Sequence, residues 1–384
     1  MLVLPAPGGE LLNWSPSGPR PPAPPPTSPP TPLSPPTSRI AYAAAHVVAD
    51  ALADEPYAVD WDTTLAFREH LWSSGLGVAE AMDTAQRGMG LDWTTTQDLV
   101  TRTGAVAAGR PWCAGVGTDQ LPPGPATVAS IVDAWREQLD LVAGAGAVPV
   151  VMASRALAAA AKSPDDYHAA YGKLLSEAGG PVLLHWLGEQ FDPALAGYWG
   201  HDDVRAAARE LAALCREHAG AIAGVKVSVL DAKVEIEFRR ALPDGVACYT
   251  GDDFNYPELI AGDAEGHSEA LLGIFDPIAP VAAAGLRRLD EGDRAGFHAL
   301  LDPTVALSRE IFRAPTRHYK TGVVFLAHLN GHQNHFRMIA GQESARTITH
   351  LATLLRLADE AGVLADPDLA EARMRPLLQV AGVG

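Results

Sequence analysis

The chain has 384 residues, of which 47% are hydrophobic, and carries a net charge of −17. That length and apolar share suffice for a large core. An acidic surface repels phosphate backbones and anionic lipid, so nucleic acid and membrane surfaces are poor partners.

Residues 1–38 differ from the rest. Pro, Ser and Thr dominate from Pro16 to Pro36. Proline removes backbone donors and favours polyproline II, so this composition builds no packed core. It reads as a disordered extension, with a ligand for proline-recognition modules as its functional alternative. The N-terminus lacks the basic-then-apolar order of a secretory signal. No apolar run reaches the ~18 residues of a membrane span. Cys113, Cys215 and Cys248 lie far apart, without metal or redox spacing. Together these features predict a cytoplasmic protein with reduced thiols.

From 39 to 292, short apolar runs alternate with segments of helical periodicity. The predicted strands cover 40–48, 78–82, 112–116, 148–153, 181–186, 222–228, 246–251 and 268–274. The helical segments cover 63–74, 95–107, 127–143, 164–177, 202–218, 232–241, 256–261 and 277–289. Eight strands, each followed by a helix, form the repeat of a closed parallel (β/α)8 TIM barrel. The run 148–153 is continuously apolar, as a strand buried on both faces requires. An open doubly wound sheet is the competing α/β architecture, but no glycine-rich phosphate loop follows the first strand. Residues 293–384 show no strand pattern. They read as three or more appended C-terminal helices, with 346–361 clearly amphipathic.

In a parallel barrel, chemistry gathers at the C-terminal ends of the strands. The polar residues expected there are Asp83 and Thr84, Thr118 and Asp119, Ser154 and Arg155, His185, Lys226 and Ser228, Asp252 and Asp253, and Ser268. Lys226 stands apart because it lies between valines in Ile222-Ala-Gly-Val-Lys-Val-Ser-Val-Leu. If it points into the barrel, desolvation lowers its pKa and yields the neutral amine that carbonyl addition needs. A buried salt bridge to a neighbouring carboxylate is the other reading.

Four stretches, in order, carry a resemblance. Met82-Asp-Thr-Ala-Gln-Arg-Gly-Met-Gly-Leu resembles a loop that holds the carboxylate of a 2-oxo acid. Gly224-Val-Lys-Val-Ser resembles a Schiff-base segment, Tyr249-Thr-Gly-Asp-Asp-Phe an SGDD strand, and Phe312-Arg-Ala-Pro the start of a C-terminal helical segment. The family they resemble is the dihydrodipicolinate synthase / N-acetylneuraminate lyase superfamily of class I aldolases, in a divergent branch. The likeness spans about 39–384. It implies Lys226 as Schiff-base nucleophile, a small-molecule carbonyl substrate, no cofactor, no metal and a homo-oligomer.

The substrate-binding candidates are Asp83, Thr84, Arg155, Ser228, Asp252 and Ser268. Arg155 is a candidate anion anchor, since a guanidinium matches a carboxylate fork. Three departures from the family pattern matter. Thr84-Ala85 stands where the family has two hydroxyl residues, Asp83 stands where it has glycine, and Val151-Met-Ala-Ser-Arg-Ala-Leu lacks its proton-shuttling tyrosine. His185, which titrates near neutrality when unperturbed, is the candidate for that role, with a core histidine as the alternative. The expected activity is that of a Schiff-base lyase or aldolase: C–C cleavage or condensation, or dehydration, on an oxo acid or sugar-derived carbonyl compound. One alternative is a metal-dependent lyase or isomerase, with His328, His332 and His335 at helical spacing or Asp252, Asp253 and Glu189 as ligands. Another is a non-catalytic ligand-binding barrel. Arg317, His318 and Lys320 form a small basic cluster expected near the mouth.

Overall fold

The computed structural model describes residues 1–17 and 33–383. Its strands are β1 (Leu2–Pro5), β2 (Leu11–Trp14), β3 (Ala41–Ala44), β4 (Gly77–Glu80), β5 (Trp112–Val116), β6 (Val148–Met152), β7 (Val182–Leu187), β8 (Ile222–Ser228), β9 (Ala247–Thr250) and β10 (Glu269–Leu272). Strands β3 to β10 close into a parallel barrel, with β10 returning to pair with β3. Between them run the helices Trp61–Ser73, Trp93–Ala107, Val128–Gly144, Pro164–Glu177, Val204–Glu217, Ala232–Ala241 and Tyr256–Ala261, and Ala279–Asp290 follows the last strand. This is the (β/α)8 barrel the sequence predicts, and the open sheet is excluded.

Local chemistry explains the boundaries. Asp60, Asp92, Asp203 and Asp231 each accept a backbone amide at the start of the next helix. Each such cap stabilises its helix by about 1 kcal/mol. The first strand is shorter than its apolar run. Ala45 still donates its amide to the Ala79 carbonyl of β4 at 3.1 Å, and beyond it the chain leaves the sheet, with Val47 and Val48 buried by packing.

Alternation along the strands divides the core in two. Val225, Val227, Leu184 and Trp186 face the surrounding helices, whereas Tyr42, Cys113, Val150, Met152, Leu183, Tyr249 and Leu271 fill the barrel interior. The register pairs Met152 with His185, His185 with Lys226, and Lys226 with Tyr249. Residues paired across neighbouring strands share a face. Lys226 and His185 therefore point inward.

The C-terminal part is helical: Arg294–Leu301, Val305–Ile311, Tyr319–Leu329, Ile348–Glu360 and Pro367–Val380. Every residue of Tyr319–Leu329 is buried. That places it at the centre of the appendix, where an all-round apolar helix belongs. Among the described residues, no helix is long and apolar enough to cross a membrane.

The N-terminus corrects the expectation for 1–38. β1 and β2 pair as an antiparallel hairpin that packs on Ile348–Glu360 and Pro367–Val380. Leu2, Leu4 and Trp14 are buried there, and the Ser17 amide and hydroxyl donate to Asp359. The apolar residues ahead of the proline run form a small sheet with a helical floor, which composition averaged over 38 positions conceals. Most of the proline-rich stretch itself, residues 18–32, lies outside the described residues. Trp14→Ala is expected to cost on the order of 3 kcal/mol, measured as a lower urea midpoint. An unchanged midpoint would mean that the hairpin contributes nothing to the fold.

Candidate active site

The mouth is shaped first by the loop after β4. The Glu80 carboxylate faces outward from the barrel and accepts from Arg68 Nε and Nη2, both at 2.8 Å, and from Thr103 Oγ1 at 2.7 Å. Both members of this ion pair are fully buried. Glu80 Oε1 also accepts the Ala81 amide at 2.9 Å. Ala81 adopts φ +51, a left-handed conformation that is costly for a residue with a Cβ. The buried pair thus holds a strained turn, which carries Asp83 to the rim and buries Thr84 beneath it.

Lys226 occupies the interior of β8. Its ammonium makes no hydrogen bond or ion pair among the described residues. Burial pushes its pKa down, and the carboxylates of Asp83 and Asp253, with Cys113, pull it partly back. The side chain has room because residue 251 is glycine. A Cβ there would lie 2.8 Å from Lys226 Cε and even closer to Ser228 Oγ. Lys226 keeps 8% of its surface accessible against 1% for His185, so the amine is the more reachable of the two.

Tyr319, from the C-terminal helix, closes the other side. Its hydroxyl pairs with Thr84 Oγ1 at 2.8 Å, and its ring stacks on Phe312 at a centroid distance of 4.4 Å. Gly273, just beyond β10, admits this stack: a Cβ there would meet the Phe312 ring at 2.9 Å and the Tyr319 ring at 3.3 Å. Burial, followed by the nearby Asp83 carboxylate, raises the Tyr319 phenol well above its ordinary range, so it stays protonated. Asp253 is buried at the end of β9 and accepts the Ile274 amide at 2.8 Å. Burial pushes its carboxyl up to about 7, while that amide and the Lys226 ammonium hold it down.

The other candidates fall into place around this centre. Asp83 and Arg155 line a cleft of about 530 Å³ at the mouth, together with Arg87, Thr118, Met152 and Leu187. Arg155 is exposed and paired with Asp192 at 2.5 Å. Ser228 is buried, and its hydroxyl meets His185 Nε2 at 3.1 Å.

His185 does not titrate near neutrality as expected. Burial, and then the Lys226 charge, push its pKa well below the ordinary value. It is a neutral core histidine that orients Ser228. Two substrate-binding candidates move to structural roles. Asp252 caps its own turn, accepting the Phe254 and Asn255 amides at 2.8 and 3.0 Å. Ser268 donates to Glu235 Oε1 at 2.7 Å, on the helix-facing side of the sheet. The proposed metal sets do not assemble either. The helix ends at Leu329, and the His332 ring packs tilted against His70 at a centroid distance of 4.3 Å while His328 turns to the Gln333 carbonyl. No group of three or more metal-ligating side chains converges among the described residues.

Sequence reading missed Tyr319, which approaches Thr84 across 235 positions of chain and carries no local signal. Asp253 was visible as an acidic residue after a strand, but its shifted titration follows from packing alone.

The barrel with its helical appendix is similar in fold to solved dihydrodipicolinate synthases. The Aquifex aeolicus enzyme matches with a TM-score of 0.65 at 14% identity, covering 85% of this chain and 99% of its own. YagE of E. coli K12, a member of the dihydrodipicolinic acid synthase family solved in complex with pyruvate, matches at 0.66 and 15%, covering 85% and 99%. The Acinetobacter baumannii dihydrodipicolinate synthase, also complexed with pyruvate, matches at 0.62 and 16%, covering 85% and 100%. At these identities the likeness is one of fold. The chain belongs to the family described as "Protein of unknown function (DUF993)", whose model matches residues 3–383. All of the N-terminal hairpin but Leu2 falls within that span. No curated protein matches the chain.

A buried ammonium without a partner destabilises the protein that holds it. Because the folded-state pKa of Lys226 lies below the ordinary value of 10.5, its charging opposes folding as pH falls below that value. Lys226→Met is therefore expected to raise the urea midpoint at pH 7, with a gain that shrinks as pH approaches 10.5. A loss of stability at pH 7 would mean that the ammonium has an attractive partner in solution.

Proposed function

We propose that the protein is a Schiff-base lyase or aldolase acting on a small oxo acid or sugar-derived carbonyl compound, with Lys226 as nucleophile. The observation that supports this reading most is the interior lysine itself. It is desolvated, it has no salt-bridge partner among the described residues, and it lies close to two acids, Asp83 and Asp253. The neutral amine adds to the carbonyl carbon, and the resulting carbinolamine loses water to give an iminium. The iminium then draws electrons from an adjacent C–C or C–H bond.

Addition and dehydration both need a proton carrier. Asp253, poised at about 7, can take and return a proton at neutral pH. Tyr319, held by Thr84, keeps its proton and serves as a fixed donor to the carbonyl oxygen as charge develops there. It offers the phenol that β6 and the turn after it lack.

The pyruvate held by two of the similar structures supports a small oxo compound. The loop itself favours a substrate richer in hydroxyls. Asp83 and Ala85 supply a carboxylate and a methyl where a bare 2-oxo acid would want two more donors, and a carboxylate accepts from sugar hydroxyls. The three buried free cysteines support a reducing, cytoplasmic setting. Assembly as a homo-oligomer rests on the family resemblance.

Borohydride reduction in the presence of pyruvate or glyceraldehyde is expected to leave a stable adduct on Lys226, located by peptide mass mapping, and none in Lys226→Ala. An adduct confined to another lysine would overturn the assignment. If deprotonated Asp253 is the base, the trapping rate rises with pH through about 7. Asp253→Asn should remove that rise and slow trapping roughly 100-fold. A pH profile identical to that of the unaltered protein would dismiss Asp253.

A further inference from the structure

We propose that the cleft between the β4 loop and the helix Tyr319–Leu329 binds an oxyanion, the phosphate or carboxylate end of a substrate whose carbonyl lies at Lys226. The position of the carbonyl rests on the Schiff-base reading, but the oxyanion site itself does not depend on it.

The cleft measures about 270 Å³ and is lined by Asp83, Arg87, Arg155, Asp192, Arg317 and Lys320. It shares Asp83, Arg87, Gly88, Arg155 and Asp192 with the larger cleft at the mouth, so the two are lobes of one opening.

Charge accounting shows what this lobe lacks. Arg87 is tied to Asp119 and Arg155 to Asp192, each at 2.5 Å. That leaves Asp83 facing two cations, Arg317 and Lys320, neither of which has a carboxylate partner among the described residues. Lys320 is the decisive group. It is only 4% exposed, yet its Nζ finds just the Arg317 carbonyl at 3.1 Å and Met89 Sδ at 3.4 Å. Beneath it lies the Tyr319 ring, at 4.8 Å. An ammonium has three donors, and a thioether is a weak acceptor for one of them. Burial lowers its pKa only to about 8, so it stays mostly charged at neutral pH. Arg317 is exposed, and among the described residues its guanidinium makes only a long contact from Nε to His318 Nε2 at 3.4 Å.

This is a net positive pocket in a chain of net charge −17. An oxyanion would supply the missing acceptors: one for the third donor of Lys320 and a pair for the free nitrogens of Arg317. The geometry also defines the rest of the ligand. Asp83 acts on both Lys226 and Lys320, so a molecule that spans the two passes its carboxylate, where hydroxyl groups donate. The substrate class is a hydroxylated carbonyl compound with a phosphate or carboxylate at its far end.

Calorimetric titration of the full-length protein with inorganic phosphate and with malonate, at fixed ionic strength with chloride as control, tests the site. At least one of the two is expected to bind. Lys320→Met should weaken it tenfold or more and Arg317→Gln at least threefold. Tighter phosphate than malonate identifies a phosphoryl end, and the reverse a carboxylate end. Absence of binding by both, or equal binding by the unaltered protein and both variants, overturns the proposal. If Lys320→Met does not fold, Arg317→Gln decides alone. Borohydride trapping of pyruvate on the same samples separates the two readings. Anion binding without any Lys226 adduct would remove the Schiff-base assignment and leave the oxyanion site standing.

Discussion

An ammonium group enclosed in a barrel, with no carboxylate paired to it among the described residues, is the constraint on which the rest of the site depends. Strand parity sends Lys226 inward, because its register partners His185 and Tyr249 face the same interior. The absence of a Cβ at Gly251 leaves the space its side chain fills. Two acids act on it from the mouth without closing on it: Asp83 from the β4 loop and Asp253 from the end of β9. A direct ion pair would satisfy the charge and silence the amine. Electrostatics at a distance moderates the desolvation and keeps the nitrogen available. Perturbed groups of this kind cluster where proteins do chemistry rather than where they gain stability.

The mouth is assembled from two ends of the chain. The β4 loop is held in a strained turn by the buried Arg68–Glu80 pair. The C-terminal helix brings Tyr319 to Thr84 and Lys320 to Met89. Gln86 adds a further tie, donating to the Ile339 carbonyl and accepting its amide at 2.9 and 3.2 Å. The appended helices are thus structural partners of the barrel as well as contributors to the site. The full burial of Tyr319–Leu329 explains how a phenol and an ammonium are presented at fixed positions.

Histidine chemistry differs from its expectation for one physical reason. A histidine on a barrel strand beside a lysine loses solvent and gains a positive neighbour, and both effects disfavour imidazolium. The pKa of His185 is held well below the ordinary value, and Nε2 meets Ser228 Oγ. For a carboxyl, the same burial raises the pKa toward neutrality. One environment pushes the two groups in opposite directions because their charged forms have opposite sign relative to their protons.

Period and order were legible in the sequence. Eight apolar runs separated by helical segments specify a closed parallel barrel, because short, fully buried strands and amphipathic crossovers leave few other solutions. A lysine between valines marked an amine that would be desolvated if it pointed inward, and the strand register decided that it does. The N-terminal hairpin was hidden by the proline run beside it. The roles of Asp252 and Ser268 were hidden because a polar residue at a strand end can serve a turn or the helix layer as readily as a ligand. Lys320 was legible as part of a basic cluster near the mouth, but its burial, the placing of Tyr319 and the tuning of Asp253 belong to the tertiary structure alone. They depend on which distant segment covers the mouth and how much water it removes, and no periodicity within one segment encodes either.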